Sequence, residues 1–431
     1  MKIHFIGIGG MSLSALALYM KKIGHDVSGS DIVPSRNVDF LVKNGIKAYV
    51  GHGQVGDVDI VVRSSAVGDD DPELFQAMKK GIKVMERMEF FSQYVKPTLG
   101  VTGTDGKSST TCMIAWIALK NGLDPTLLCG AFSKGFDDSN FRFGKGVIVA
   151  EVDESDPKIE DVVSNVAVLT NLRYDHLERY KGDPHLQLTS IKKFLFNARK
   201  AVVPSDFDVF GDDFFRIGEN GGLKYEKTAS DFSTQRFKIT YRKEEFFGEL
   251  PIPGIYQVEN AVTAIGASLM IGISVESSLN ALKSYPGISR RMEILKKNEP
   301  IVVSDYAHTP NEVKAALDSV LPYFDAKDVV VIFEPHRYSR FEREYKNFAE
   351  SLAKVKKVFV TDIFGAFEKR DEKKGVNVEK LVNEIEKRGT QAVYLKKSDG
   401  IEKILKSKAK IYLFMGAGNV DWMAHEFVRR M

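Results

Sequence analysis

The chain has 431 residues and a mass of 48.2 kDa, which excludes a peptide module or a disulfide-stapled miniprotein and leaves room for roughly two to four domains. Hydrophobic residues make up 43% and charged residues 28%, values typical of globular proteins, so a collagenous, coiled-coil or largely disordered chain is not expected. A net charge of +3, spread along the chain, argues against nucleic acid as a partner.

Cysteine and hydropathy patterns bear on the compartment. Cys112 and Cys129 are too few for a disulfide framework and wrongly spaced for a zinc site. The longest charge-free apolar stretch, Asn260–Val275, is shorter than the ~20 residues of a membrane-spanning helix. The apolar N-terminus resembles a signal peptide, but it contains glycines where a strand should turn and lacks a small-residue cleavage site. We therefore expect a cytoplasmic protein without membrane insertion.

Short β-rich runs alternate with helical patterns along the whole chain, which predicts parallel sheets with crossover helices. The first of three blocks opens with a strand at Lys2–Ile6, a helix from about Ser12 to Lys22 and a strand at Asp26–Ser30. It continues to about Tyr94, and Pro97 marks a joint.

The second block begins with a strand at Thr98–Thr102 and has further strands at Gly146–Val152 and Val166–Asn171. Residues Gln235–Ile255 alternate as a hairpin would, so a small antiparallel element is expected here. The third block follows Arg291, and five strands are predicted in it: Ile301–Ser304, Val329–Phe333, Lys357–Thr361, Gln391–Leu395 and Lys410–Phe414.

A glycine-rich turn, GIGGMS, covers Gly7–Ser12 between the first strand and the first helix, and Asp31 ends the next strand. In such a turn, backbone N–H groups and the helix N-terminus can face a diphosphate, and the acidic residue can reach a ribose. The dinucleotide fingerprint is imperfect because Ser12 replaces its last glycine. The motif is compatible with a nucleotide site or with glycines that only permit tight packing.

A second glycine loop, VTGTDGKSST, covers Val101–Thr110 between a strand and a helix. Gly103 and Gly106 let the loop wrap phosphates, Lys107 supplies a cation to them, and the Ser108 hydroxyl can bind Mg²⁺. The leading glycine of the usual phosphate-loop pattern is replaced by Val101. We interpret this loop as a nucleoside-triphosphate site rather than a turn with an incidental lysine.

Polar residues follow two later strands, in AEVDESD (150–156) and TNLRYDH (170–176). Carboxylates at strand ends in an open α/β sheet face the crevice where ligands bind, and a phosphate loop needs an oxygen ligand for its metal. Glu151 and His176 are the candidates. Without the phosphate loop, the remaining carboxylates of AEVDESD would indicate a solvated acidic loop, and His176 a capping or satisfied polar residue.

In the third block, SDYAHTP (304–310) and EPHRYSR (334–340) each lie just beyond an apolar strand. Their histidines and arginines suit an anionic substrate, since guanidinium groups bind carboxylate or phosphate through paired hydrogen bonds. A solvated basic loop is the alternative for Arg337 and Arg340.

Seven strings occur in the order found in the Mur ligases of peptidoglycan synthesis, and together they make the whole chain resemble that family. They are HFIGIGG (4–10), SGSD (28–31), GVTGTDGKSSTT (100–111), EVDESD (151–156), TNLRYDHLERY (170–180), EPHRYSRF (334–341) and MGAGNV (415–420). The likeness is greatest to the branch that joins L-alanine to UDP-N-acetylmuramate.

The resemblance implies a three-domain α/β fold: a Rossmann-like domain for the UDP-sugar (1–94), a central ATP-binding domain (95–293) and a Rossmann-like domain for the amino acid (294–431). It also implies the reaction. The sugar carboxylate attacks the ATP γ-phosphate, and the amine of L-alanine attacks the resulting acyl phosphate, which yields an amide, ADP and phosphate. The implied cofactors are ATP and two Mg²⁺ ions, with Mn²⁺ as a substitute, and the chain is expected to be a monomer or weak homo-oligomer.

Residue roles follow by matched position. The UDP-sugar would contact Gly7, Ile8, Gly9, Gly10, Met11, Ser12 and Asp31. ATP would contact Gly103, Thr104, Asp105, Gly106, Lys107, Ser108, Ser109 and Asn260. The metal ligands would be Ser108, Glu151 and His176. The amino acid would meet His308, His336, Arg337 and Arg340. The resemblance assigns catalysis to Lys107, Glu151, His176, His308, Arg337 and Arg340.

Three places depart from the family's pattern. Asp105 stands where the family has His, which puts an acid near the phosphates. Tyr256 and Gln257 stand where His and Asn are common. Thr309 replaces a second His, as in ligases that add a diamino acid.

Four other functions compete with this interpretation. Folylpolyglutamate synthetase shares the ATP chemistry but has no UDP domain. A murein-peptide recycling ligase would share the first two domains. An NAD-dependent oxidoreductase would explain Gly7–Asp31 but not Lys107. A non-catalytic nucleotide-binding regulator would release no phosphate.

Overall fold

The computed structural model describes residues 1–174, 177–209, 214–366, 368, 377–396 and 401–431. The chain folds into two compact units. The first comprises residues 1–228, 236–250 and 257–286, and the second comprises 229–235, 251–256 and 287–431. No helix among these described residues is long and apolar enough to cross a membrane.

The first sheet has five parallel strands in the order β3-β2-β1-β4-β5, which is the Rossmann-like arrangement expected for this block. Its strands are β1 (Lys2–Ile6), β2 (Asp26–Asp31), β3 (Lys47–Val50), β4 (Ile60–Arg63) and β5 (Lys83–Glu86). Its helices are α1 (Met11–Lys22), α2 (Arg36–Lys43), α3 (Pro72–Lys79) and α4 (Arg87–Tyr94).

The second sheet has ten strands in the order β15-β14-β13-β12-β11-β10-β6-β9-β7-β8. Its strands are β6 (Leu99–Thr102), β7 (Thr126–Ser133), β8 (Ser139–Arg142), β9 (Ile148–Glu151), β10 (Val166–Leu169), β11 (Lys200–Pro204), β12 (Phe214–Ile217), β13 (Leu223–Lys227), β14 (Gln235–Tyr241) and β15 (Glu244–Leu250). Its helices are α5 (Lys107–Lys120), α6 (Pro184–Phe196), α7 (Gln257–Met270) and α8 (Val275–Leu282). The expected antiparallel element is confirmed, because β14 pairs with β13 in antiparallel register and adjoins β15.

The third sheet has six strands in the order β16-β17-β21-β18-β19-β20. Its strands are β16 (Glu293–Lys296), β17 (Ile301–Asp305), β18 (Val329–Phe333), β19 (Lys357–Val360), β20 (Gln391–Tyr394) and β21 (Ile411–Met415). Its helices are α9 (Pro310–Asp318), α10 (Tyr338–Leu352), α11 (Glu379–Glu386), α12 (Glu402–Leu405) and α13 (Val420–Arg430). All five predicted strands are present, and the antiparallel edge strand β16 is an addition to them.

The first two sheets share one continuous hydrophobic cluster within the first compact unit. Phe5 of β1 packs edge-on against Phe90 of α4, with ring centroids 5.9 Å apart, and the same cluster includes Ile159 and Phe194 of the second sheet's layers. The boundaries predicted at 94/95 and 293/294 stay a prediction.

A close contact at Gly29 allows the packing of the first sheet to be tested by substitution. A Cβ atom at Gly29 of β2 would lie 2.4 Å from the Phe5 carbonyl oxygen and 2.6 Å from Ile8 Cδ1. Gly29→Ala should therefore lower the free energy of unfolding by about 1–3 kcal/mol through overpacking. Gly56→Ala is the matched control, because nothing lies within 4 Å of the added atom. Equal thermal unfolding midpoints for the two variants would contradict this packing.

Candidate active site

The phosphate loop follows the central strand of the second sheet. Strand β6 lies between β9 and β10 and pairs with both in parallel register, with Val101 opposite Glu151 and Thr102 opposite Leu169. Parallel neighbouring strands end at one edge of the sheet, where ligands of open α/β sheets bind. The loop after β6 therefore meets Glu151 and the segment that begins at Thr170.

Two glycines in the loop are required by its backbone. Gly103 has φ +132° and Gly106 has φ +79°, conformations that favour glycine. A Cβ atom would lie 2.1 Å from Thr170 Oγ1 at Gly103 and 2.1 Å from Asn260 Oδ1 at Gly106. The first turn of α7 thus brings the Asn260 amide against Gly106, and the predicted contact between Asn260 and ATP stays a prediction.

The segment after β10 anchors the loop. The Asp105 N–H donates to Asn171 Oδ1 at 3.0 Å, and Asn171 Nδ2 donates to the Asp105 carbonyl at 3.0 Å. Thr104 Oγ1 donates to the Arg173 carbonyl at 2.8 Å. These bonds hold the loop in shape, so its backbone N–H groups need no phosphate to become ordered.

Lys107, the first residue of α5, is held at the loop by three acceptors. Its Nζ donates to the carbonyls of Gly103 and Thr104 at 2.7 and 3.0 Å and lies 2.8 Å from Glu154 Oε2. Burial disfavours the ammonium, but the surrounding carboxylates, Glu154 foremost, outweigh it and raise the pKa of Lys107. The side chain is therefore a permanent cation at the place where phosphates would bind.

The two proposed metal ligands in the described part of the site are in contact. Ser108 Oγ donates to Glu151 Oε2 at 2.8 Å, and the Gly130 N–H donates to the same oxygen at 2.8 Å. Cys129 lies behind them, 3.3 Å from Cys112 between the sulfur atoms. Burial raises the pKa of the Cys129 thiol, and both cysteines are free.

The other carboxylates of AEVDESD do not form a solvated acidic loop, so that alternative is wrong. Glu154 and Asp156 are each 3% exposed, and Asp153 pairs with Arg87 at 2.6 Å. Burial raises the pKa of Glu154 to about 7, against the opposing effect of Lys107. Arg87 and Lys107 overcome the burial of Asp153 and lower the pKa of that carboxyl.

The acid at Asp105 has a counter-ion. Arg173 Nη1 lies 3.1 Å from Asp105 Oδ2. The guanidinium offsets the negative charge that this departure from the family's pattern places beside the phosphate loop. Ser109 is buried in the first turn of α5.

The N-terminal glycine loop has the expected strand-turn-helix geometry. Gly7 has φ +79°, and Gly10 directly precedes α1. Asp31 accepts hydrogen bonds from the Gly9 N–H at 2.9 Å and the Val33 N–H at 3.0 Å. Ile8 is buried, whereas Ser12 at the start of α1 is exposed. Asp31 thus shapes the loop, and its predicted ribose contact stays a prediction.

In the second compact unit, the structure brings together the four residues predicted for the amino acid. The rings of His308 and His336 are edge-to-face with centroids 5.2 Å apart, and Arg340 Nη1 lies 3.1 Å from His336 Nδ1. Burial and the neighbouring cations lower the pKa of His336 to about 4. His336 is therefore neutral at neutral pH, and its Nδ1 accepts from Arg340.

Glutamates that sequence reasoning did not single out hold this cluster. Arg337 Nε donates to Glu368 Oε1 at 3.1 Å. Glu334 accepts from the N–H groups of Gly418 and Asn419 at 2.8 and 2.9 Å, which joins the EPHRYSR and MGAGNV strings. The sequence feature that could have identified Glu334 is its position at the end of an apolar strand.

Thr309 has a local structural role. It is the N-cap of α9 in a capping box, with its side chain accepting from the Glu312 N–H and its own N–H donating to Glu312 Oε2 at 3.1 Å. Glu312 Oε2 also lies 3.1 Å from His308 Nδ1. The residue that departs from the family's pattern thus organises the helix start beside His308.

His176, the third proposed metal ligand, lies outside the described residues. Arg87 and Glu154 are site residues that the sequence interpretation missed as participants. Arg87 is far in sequence from Asp153, and Lys107 is far from Glu154, so no local pattern predicts these ion pairs.

Family models match the chain in three consecutive segments. They are the Mur ligase family catalytic domain at residues 2–97, the Mur ligase middle domain at 101–268 and the Mur ligase glutamate ligase domain at 290–418. The chain belongs to the Mur ligase family, a family of ATP-using ligases, and it has the family's three-domain α/β fold.

Similar proteins match over nearly the whole chain. The UDP-N-acetylmuramate–L-alanine ligase of Thermotoga maritima is 32% identical and that of Pseudothermotoga lettingae 35% identical, with 100% of this chain and 96% and 99% of the relatives covered. The crystal structure of the Thermotoga maritima ligase MurC superposes with a TM-score of 0.88 at 30% identity, over 100% of this chain and 99% of the other. A murein peptide ligase from Psychrobacter arcticus shares the fold, with a TM-score of 0.69 at 21% identity over 100% and 98% of the two chains.

The capping box predicts a stability effect at Thr309. Thr309→Ala should lower the free energy of unfolding by about 0.5–2 kcal/mol, because the N–H of Glu312 loses its acceptor. Thr309→Ser is the matched control and should keep the cap. Thermal unfolding of both variants is the measurement. A Thr309→Ala protein of unchanged stability would contradict the capping role.

Proposed function

We propose that the chain is an ATP-dependent amide ligase that joins L-alanine to the lactyl carboxylate of UDP-N-acetylmuramate, with ADP and phosphate as products. Relatives at 32–35% identity that bear this activity in their names cover the full chain and support the proposal. The structural observation that carries it is the meeting of Lys107, Ser108 and Glu151 at one sheet edge.

The central chemical problem is charge. A carboxylate anion must approach the γ-phosphate, which is also an anion. The phosphoryl group passes directly to that carboxylate, without a covalent bond to a protein side chain on the way. Lys107 neutralises part of the phosphate charge, and the anchored backbone of Gly103–Gly106 orients the phosphate chain. To contact the phosphates, Lys107 must give up its ion pair with Glu154.

The donor set fits Mg²⁺. Ser108 and Glu151 present hydroxyl and carboxylate oxygens 2.8 Å apart, and hard oxygen ligands are what Mg²⁺ prefers. The described residues include no group of three or more His, Cys, Asp or Glu side chains placed for a metal, and Mg²⁺ bound together with phosphates and waters needs no such group. When bound, the ion would screen the phosphate charge and favour displacement of ADP. We keep His176 as the proposed ligand of a second ion.

The remaining site residues divide between the acceptor and the amine. We assign Gly7–Ser12 to the diphosphate, because the N-terminus of α1 favours an anion there. We assign Arg337 and Arg340 to the carboxylate of alanine and to phosphate. Because Nδ1 of neutral His336 accepts from Arg340, its Nε2 carries the ring proton and can donate a hydrogen bond to an anionic oxygen of the substrates.

The first test is the charge at the phosphate loop. Lys107→Ala should abolish ligation while UDP-N-acetylmuramate binding changes by no more than a few fold, because loss of one stabiliser of phosphoryl transfer costs ~3 kcal/mol or more of barrier. Lys120→Ala, at the other end of α5, is the matched control and should stay active. Calorimetry and phosphate release are the measurements. Loss of acceptor binding together with catalysis would contradict the assignment of the two sites.

The second test is a substrate panel. Phosphate release should be fastest with UDP-N-acetylmuramate and L-alanine, and slower with glycine or L-serine by roughly 10- to 200-fold, as for a pocket that distinguishes one small group. L-Lysine and diaminopimelate should be excluded by size. Turnover of the UDP-dipeptide with a diamino acid that exceeds turnover with L-alanine would overturn the proposed substrate pair.

A further inference from the structure

A small cavity in the first compact unit connects the two loops that the proposed function assigns to different substrates. It has a volume of about 20 Å³, and its polar lining includes Ser12 at the start of α1, Arg87, Gly130 and Glu151. Ser12 belongs to the loop assigned to the UDP acceptor, and Glu151 belongs to the proposed metal pair. A volume of this size excludes a sugar ring, so only a small substituent of the acceptor can approach Arg87 through it.

Arg87 is the cation of this cavity, and its hydrogen-bonding capacity is largely unused. It is the first residue of α4, and its side chain is 12% exposed. Within the described residues, its one hydrogen bond runs from Nη2 to Asp153 Oδ2 at 2.6 Å. A guanidinium carries five N–H donors in a planar fork, so most of the fork is available to a ligand.

An anion can enter the cavity only if a cation there offsets the negative charge of the carboxylates around it. Glu151 lines the cavity, and the Asp153 carboxylate lies 2.6 Å from Arg87. A further carboxylate would be repelled by both unless a cation faced it at close range. The arginine fork matches a carboxylate in shape as well as charge, since two parallel N–H groups can bond its two oxygens.

We propose that Arg87 binds the reacting carboxylate of the UDP-sugar acceptor and positions it toward the γ-phosphate held at Lys107 and Ser108. This role rests on the proposed ligase function. It makes Arg87 the residue that distinguishes an acceptor with a lactyl carboxylate from a UDP-sugar without one. The pairing with Asp153 fixes the guanidinium at the cavity wall before the acceptor arrives.

The test compares two ligands that differ at the lactyl group. UDP-N-acetylmuramate and UDP-N-acetylglucosamine share the nucleotide, diphosphate and sugar ring, and the second lacks the carboxylate. Calorimetric titration, with and without a non-hydrolysable ATP analogue, measures both ligands on the full chain. Arg87→Ala should weaken UDP-N-acetylmuramate binding by about 10- to 100-fold, as for loss of a charged hydrogen-bond partner, and leave UDP-N-acetylglucosamine binding unchanged.

Two further variants separate binding from folding. Arg87→Lys keeps the charge and loses the fork, so it should fold like the parent and show an intermediate loss for UDP-N-acetylmuramate alone. Arg63→Ala is the matched control, because Arg63 forms ion pairs with Asp69 and Glu86 in the same sheet layer and does not line the cavity. It should bind both ligands as the parent does.

The outcomes are distinct. Equal losses for both ligands would place Arg87 on the diphosphate and overturn the inference, and so would unchanged binding of both. If the parent protein ligates UDP-N-acetylmuramate and the Arg87→Ala variant still prefers that ligand over UDP-N-acetylglucosamine, only the proposed role of Arg87 is overturned. A parent protein that fails to turn over UDP-N-acetylmuramate with ATP and L-alanine overturns the proposed function itself.

Discussion

The parallel pairing of β6 with β9 on one side and β10 on the other is the constraint on which the central site depends. It places Val101 beside Glu151 and Thr102 beside Leu169. Three strand ends then share one edge, so the phosphate loop, the carboxylate of Glu151 and the anchoring Thr170–Asn171 segment meet without any of them being near in sequence. A shift of one residue in the pairing of β9 with β6 would turn Glu151 to the opposite face.

Charge compensation explains how this edge tolerates so many ionised groups. Lys107 faces Glu154, Arg87 faces Asp153, and Arg173 faces Asp105. Removal of one partner of the buried Lys107–Glu154 pair would leave an uncompensated charge and be strongly unfavourable, whereas Arg173 and Asp105 are exposed to solvent. The same arrangement puts Lys107 in direct contact with Glu154, so the protonation of Glu154 changes the net charge beside the glycine loop.

In the second unit, one carboxylate links the cap of a helix to the histidine cluster. Glu312 closes the capping box of α9 with Thr309 and also contacts His308, whose ring meets that of His336. A threonine that resembles a specificity signal in sequence thus has a stabilising function in the fold. The capping box therefore gives Thr309 a role in the fold that does not depend on which amine is bound.

The sequence by itself determined the three α/β blocks, the two glycine loops and the strand-end positions of Glu151, His308 and His336, because these features depend on short-range rules: alternation in strands, left-handed φ at Gly103 and Gly106, and the cation after a glycine turn. Tertiary structure alone decided that Glu154 and Asp156 are buried, that Asp105 has Arg173 as its counter-ion, and that Arg87 lies at the cavity beside Glu151. The reason is that an ion pair between residues such as Arg87 and Asp153 has no local pattern. It exists only once strand order and helix packing have brought two distant segments together.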